Sequence, residues 1–223
     1  MPWVELARED SERGELVLRE REQSGPTRHL ELRANGVFVM DTALTESEEA
    51  LAATALTGHP APARVLVGGL GLGYTARRVL ADPRVAVCTI VEIESALVRW
   101  FADGLVPSGP DLLGDPRVEV WVGDLFELLD RAAGYDLVLL DVDNGPSGLV
   151  HEENHRLYQA AGLAALQRAL APSGELAIWS ASSEPGLLAA LRASFDRVAE
   201  VAVPVVLQGR SEEYWLLLAR GLS

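Results

Sequence analysis

Residues 64–73 read Arg-Val-Leu-Val-Gly-Gly-Leu-Gly-Leu-Gly, and this stretch decides the fold. The apolar run at 65–67 is of the kind buried on both faces of a parallel sheet, and it leads directly into glycines 68, 69, 71 and 73. Glycine permits positive φ and leaves no Cβ between backbone and ligand. A helix starting after such a loop offers free amides and a partial positive charge to an anionic group. Taken alone, the loop fits a tight strand-to-helix turn as well as a ligand cradle. Its surroundings favour the cradle. Glu92 closes the next apolar run (85–91), 19 residues beyond Gly73, where an acid can accept both hydroxyls of a ribose. Asp124 follows the run 118–122 and Asp141 follows 137–140. One acid at such a position reads as a helix N-cap; three on the carboxyl edge of one sheet read as a ligand site.

Outward from the loop, apolar runs alternate with helical patterns near 75–80, 95–101, 125–132, 157–170 and 186–195. A further strand at 176–179 and a closing antiparallel pair at 198–203 and 213–218 complete an α/β, Rossmann-like doubly wound sheet. Residues 1–60 read differently. Four short alternating segments near 3–6, 15–19, 29–33 and 37–40, separated by turn residues, predict a small antiparallel meander. A helix over 45–56 follows, entered through a Thr cap with acids in its first turn. The expected division is 1–60, a small β domain with a linking helix, and 61–223, the cofactor-binding domain.

Composition narrows the function. The 223 residues are 48% hydrophobic and 23% charged, as in an ordinary globular chain. Thirty-three acids against nineteen bases give a net charge of −14, which repels nucleic-acid phosphates and anionic lipid. All nineteen bases are arginine, so Schiff-base chemistry and a P-loop lysine are excluded. One cysteine, Cys88, allows neither an internal disulfide nor a Cys-rich zinc site, and within an apolar strand it reads as core. With no leader-like pattern and no long apolar run, the expectation is a cytoplasmic protein with no nucleic-acid or membrane partner.

A dinucleotide loop needs a third glycine at position 74, which is Tyr74, so the spacing favours an adenosyl sulfonium over NAD. Here the chain resembles the spermidine synthase-like branch of the S-adenosylmethionine-dependent methyltransferase superfamily. The likeness rests on Ala-Asn-Gly-Val-Phe-Val-Met-Asp at 34–41, the glycine loop, Val-Glu-Ile-Glu at 91–94, Gly-Asp-Leu-Phe-Glu-Leu-Leu at 123–129 and Tyr-Asp-Leu-Val-Leu-Leu-Asp at 135–141. The resemblance implies that S-adenosylmethionine, or its decarboxylated form, is held by Gly68, Gly69, Gly71, Gly73, Glu92, Asp124, Leu125 and Asp141. Glu92 would hold the ribose and Asp124 the adenine amino group, with Asp141 at the reacting centre. It also implies a homodimer or larger assembly.

Four departures concern the acceptor half. The loop aspartate of the aminopropyl-transferring members is Gly71 here, which removes a charge that would repel the carboxylate of intact S-adenosylmethionine. The family's Gln and its Tyr-His-Glu cluster fall near Ala43 and Ala52-Ala53-Thr54. Its Asp-Ser-Ser-Asp becomes Asp141-Val142-Asp143-Asn144, and its late-loop tyrosine is missing from 203–209. The expectation is therefore methyl transfer to a small-molecule acceptor, possibly an amine. The alternatives are aminopropyl transfer in polyamine synthesis and a catalytically silent cofactor-binding scaffold. Asp141 is the expected proton acceptor, with Asp143 as a second carboxylate and Asn144 and Tyr158 as acceptor-site candidates. His151-Glu152-Glu153-Asn154-His155 matches a zinc-protease pattern, but it follows a Gly-Pro-Ser-Gly loop and no metal is expected. Trp100 and Trp179 can stack on adenine, though core packing is the commoner use of tryptophan.

Overall fold

The structure is a computed structural model that describes residues 2–21, 28–43, 45–142, 152–207 and 210–221. Strands β1 (Trp3–Ser11), β2 (Gly14–Arg21), β3 (His29–Ala34) and β4 (Val37–Asp41) form an antiparallel sheet in the order β1-β2-β3-β4. Period-2 alternation turns Leu16 and Leu18 of β2, and Leu30 and Leu32 of β3, to one buried face. That face packs on Leu70 and Leu72 of the glycine loop. Arg13, in the β1–β2 turn, fixes the orientation with 2.7 Å and 2.8 Å bonds to Glu94 Oε1 and the Ile93 carbonyl.

Helix α1 (Glu46–Gly58) starts where expected, but the Thr45 hydroxyl makes no capping bond. The second sheet contains β5 (Arg64–Gly68), β6 (Val87–Glu92), β7 (Val118–Val122), β8 (Tyr135–Leu140), β9 (Leu170–Ser180), β10 (Arg197–Leu207) and β11 (Arg210–Arg220). Its order is β10-β11-β9-β8-β5-β6-β7, with β11 antiparallel to both neighbours and β5 through β9 parallel. Alternate residues separate into two cores. Val65, Val67, Leu137 and Leu139 face one side with α1, α2 (Tyr74–Leu80) and α3 (Ser95–Ala102). Leu66, Val138 and Leu140 face the other with α5 (Leu125–Leu129), α6 (Ala160–Ala169) and α7 (Pro185–Ser194). A sheet covered on both faces explains why its central strands read as unbroken apolar runs.

Two helical expectations change. The short α4 (Gly109–Gly114) was not foreseen; its Pro110 sits in the first turn, where a missing N–H costs nothing. The helix expected over 157–170 divides into a 3-10 turn (Glu152–Tyr158) and α6. Gly162 allows this doubling back, since a Cβ there would lie 2.2 Å from the Arg156 carbonyl oxygen. Among the described residues, no helix is long and apolar enough to cross a membrane.

Candidate active site

Strand order reverses direction between β5 and β8, and open α/β sheets bind ligands at such a switch point. Backbone bonds join the strand ends there. Gly69 N–H donates to the Val91 carbonyl, Asp141 N–H to that of Gly68 and Gly123 N–H to that of Glu92, each at 2.9 Å. Gly69 has φ +93°, and a Cβ on it would lie 2.1 Å from the Asp141 carbonyl oxygen. Only glycine lets the loop and the end of β8 approach so closely.

A cleft of about 750 Å³, mouth included, opens between these strand ends and the N-terminal sheet. Leu16, Leu32 and Ala34 line one wall; Glu92, Asp124, Leu125 and Asp141 line the other, with Gly69 and Gly71 between them. Glu92 is buried and held by both oxygens, accepting Leu70 N–H at 3.0 Å and Glu94 N–H at 2.8 Å. Burial pushes its carboxyl up, opposed by those amides. A carboxylate has about four lone-pair positions, so these amides do not exhaust its capacity to accept from a ligand hydroxyl. Asp124 caps α5 by accepting Phe126 N–H at 2.8 Å, and its other oxygen pairs with Arg156, whose guanidinium lies 4.6 Å over the Phe126 ring. Gly68 backs this wall, Leu125 packing against it, while Gly73 ends the loop at α2.

The side chain of Asp141 accepts a 2.6 Å hydrogen bond from Thr75 Oγ1 on α2. Burial pushes its carboxyl up against that bond, towards the range in which it can take a proton at neutral pH. Nearby, Glu48 in the first turn of α1 is buried, with Oε2 accepting from Ser47 Oγ at 2.6 Å. Its carboxyl is raised by burial first and by the charge of Asp141 second. The phenols of Tyr74 and Tyr214 are also raised, mainly by burial, with Glu48 and Asp41 adding to it. Met40 closes the loop's other side. Its Sδ accepts Leu72 N–H at 3.0 Å and lies 2.7 Å from where a Cβ on Gly71 would fall, with Gly71 at φ +51°.

The eight residues expected around the cofactor thus gather at one strand-end edge. Asp143 and Asn144 lie outside the described residues. Tyr158 is buried in the core with α6, on the opposite face of the sheet from Trp179. Trp100 is likewise a core residue. His155 lies in the 3-10 turn, where positions four apart do not share a face, and His151 lies outside the described residues. No group of three or more His, Cys, Asp or Glu able to hold a metal occurs among the described residues. Sequence reasoning missed Glu48, Thr75, Met40 and Tyr214. In sequence Glu48 is one of three acids in the same helix start, with nothing to set it apart from Glu46 and Glu49.

The spermine/spermidine synthase domain matches residues 45–186, well over half of the chain. The chain belongs to that family. It is 29% identical over 234 residues to polyamine aminopropyltransferase 2 of Hyperthermus butylicus, covering 95% of this chain and 74% of that protein. It is 39% identical over 94 residues to the polyamine aminopropyltransferase of Bacillus mycoides, covering 42% of this chain but 34% of the relative. Among solved structures, spermidine synthase from Thermotoga maritima superposes with a TM-score of 0.79 at 17% identity, covering 98% of this chain and 74% of that one. A spermidine synthase bound to the transition-state analogue AdoDATO gives 0.81 at 18%, with the same coverage. These likenesses establish the fold; both named relatives are aminopropyltransferases, and neither supports the expected methyl transfer.

Proposed function

We propose that this family member transfers an aminopropyl group from decarboxylated S-adenosylmethionine to an amine. The relatives' named activity supports this over methyl transfer. The observation that carries it is Asp141, with raised affinity for a proton, held at the switch point directly against the glycine loop. In this reading Glu92 accepts from the ribose hydroxyls, and Asp124 accepts from the adenine amino group. The apolar wall from β2 and β3 excludes water from the sulfonium.

An acceptor amine arrives as its ammonium, and Asp141 takes one proton from the nitrogen. The freed lone pair forms the new C–N bond to the carbon beside sulfur as the C–S bond breaks. The bonding pair passes to sulfur, leaving a neutral thioether, methylthioadenosine, and the positive charge moves to the product nitrogen. The Thr75 hydroxyl holds the Asp141 oxygen in place throughout. A homodimer accompanies this reading, and light scattering of the purified chain would show it.

The test is calorimetric titration with S-adenosylmethionine and, separately, its decarboxylated form, followed by assay for methylthioadenosine with 1,4-diaminobutane. Preference for the decarboxylated donor with product formed is expected. Gly71 favours the second reading, methyl transfer, since no loop acid opposes a donor carboxylate; preference for the intact donor would restore it. Binding of neither would remove the cofactor assignment.

A further inference from the structure

Glu48 has no place in the steps above, yet it is the most anomalous charge near the reacting centre. It is 8% exposed, carried in the first turn of α1 against α2, and Thr75 Oγ1, which binds Asp141, also lies 3.4 Å from its carbonyl oxygen. Among the described residues neither Glu48 nor Asp141 forms a salt bridge, although nineteen arginines are available in the chain. Buried carboxylates without a cation are costly and are retained where something else supplies the positive charge.

The groups facing Glu48 sharpen this. Asp141 acts on it from β8 and Glu46 from its own helix; the phenols of Tyr74 on α2 and Tyr214 on β11 feel its charge, together with Glu49, with Asp41 at the end of β4 and with Glu212 on β11. The cation Arg77 is exposed and acts on Tyr74. Glu175 and Arg220 pair at the other end of α1, beside Gly58, and β10 brings the uncharged Val203. A second observation is independent of the carboxylates. Trp179 is 7% exposed, its indole N–H has no acceptor among the described residues, and its ring meets Tyr214 edge-on with centroids 5.0 Å apart. Aromatic faces beside acids suit an organic cation.

We propose that Glu48 is the second carboxylate of the acceptor site: it pairs with the acceptor's positive charge beside Asp141. It would thereby replace the acceptor ligands that the sequence lacks at 52–54 and 144. This rests on the amine-acceptor reading above.

The experiment is steady-state kinetics of Glu48→Gln against wild type, with decarboxylated S-adenosylmethionine and 1,4-diaminobutane across pH 5.5–9. Expected are an amine KM raised about tenfold and a donor KM within about twofold. Glu48→Asp should recover part of the amine KM. An unchanged amine KM overturns the proposal, as does an equal rise in both KM values, which marks a structural role. A binding arm separates this failure from that of the parent reading. Titration of 1,4-diaminobutane into the protein saturated with methylthioadenosine needs no turnover. Weaker amine binding in Glu48→Gln supports the role of Glu48 even if wild type makes no product. Equal binding in both proteins overturns it, and no amine binding by wild type overturns both readings.

Discussion

In the proposed reading, the donor half and the acceptor half of this site are built in opposite ways. Donor residues lie on consecutive strand ends, Gly68–Gly73, Glu92 and Asp124, held by backbone hydrogen bonds that leave little room for variation. Acceptor-side residues come from α1, α2 and the ends of β4, β8 and β11, and they meet only through side-chain packing. The first half is a property of the sheet and the second of what is laid over it. A family can therefore keep one and rebuild the other. The shared loop geometry tolerates almost no substitution, whereas a carboxylate can reach a cation from several neighbouring elements.

Asp141 joins the two halves, so its removal should have the largest effect. Asp141→Asn is expected to lower turnover by about 10²–10⁴-fold with little change in calorimetric donor affinity, because a general base is lost without a binding contact. A comparable loss of donor affinity would instead place Asp141 wholly in the donor half. Gly69→Ala tests the rigidity of the donor half. With φ +93° and a backbone oxygen 2.1 Å from the new Cβ, it should cost roughly 2–3 kcal/mol or more in thermal unfolding and abolish donor binding.

Gly71 and Met40 sit at the boundary. Gly71→Asp should destabilise the chain, and adding Met40→Ala should recover part of the loss, with a coupling of about 0.5–3 kcal/mol in a double-mutant cycle. Additive effects would show that Met40 does not fill that space. On the acceptor side, Glu48 binds its proton more tightly folded than unfolded, so its contribution to stability falls as pH rises from the ordinary carboxylate range through about 7. Glu48→Gln should therefore raise the melting temperature by a few degrees at pH 8 and leave it nearly unchanged at pH 5. The smallest effect belongs to the part-exposed Arg156–Asp124 pair. Arg156→Gln should change stability by no more than about 1 kcal/mol in chemical denaturation, because solvent screens the pair.

The donor half was legible in the sequence because its signals are local. Residues 65–67 are apolar at every position since the strand is covered on both faces, and the acids fall where each strand must end. Helix boundaries at 157–170 were less legible. Gly162 reads as a weak helix residue, but its use, admitting the carbonyls of 156 and 157, depends on a turn that folds back on it. Tyr158 was named as an acceptor-site candidate, and the doubling back put it into the core with α6. Glu48 was one acid among several in a helix start, Glu46, Glu48 and Glu49, and periodicity alone could not distinguish it from a solvated first turn.

By itself, then, the sequence determined the two sheets, the glycine loop and the acids at three strand ends, because hydrophobic period and backbone conformation act between near neighbours. Tertiary structure alone decided which acid matters beside Asp141. Glu48, Thr75 and Tyr214 are far from Asp141 along the chain, and their charges interact strongly only once packing has excluded the water that would screen them.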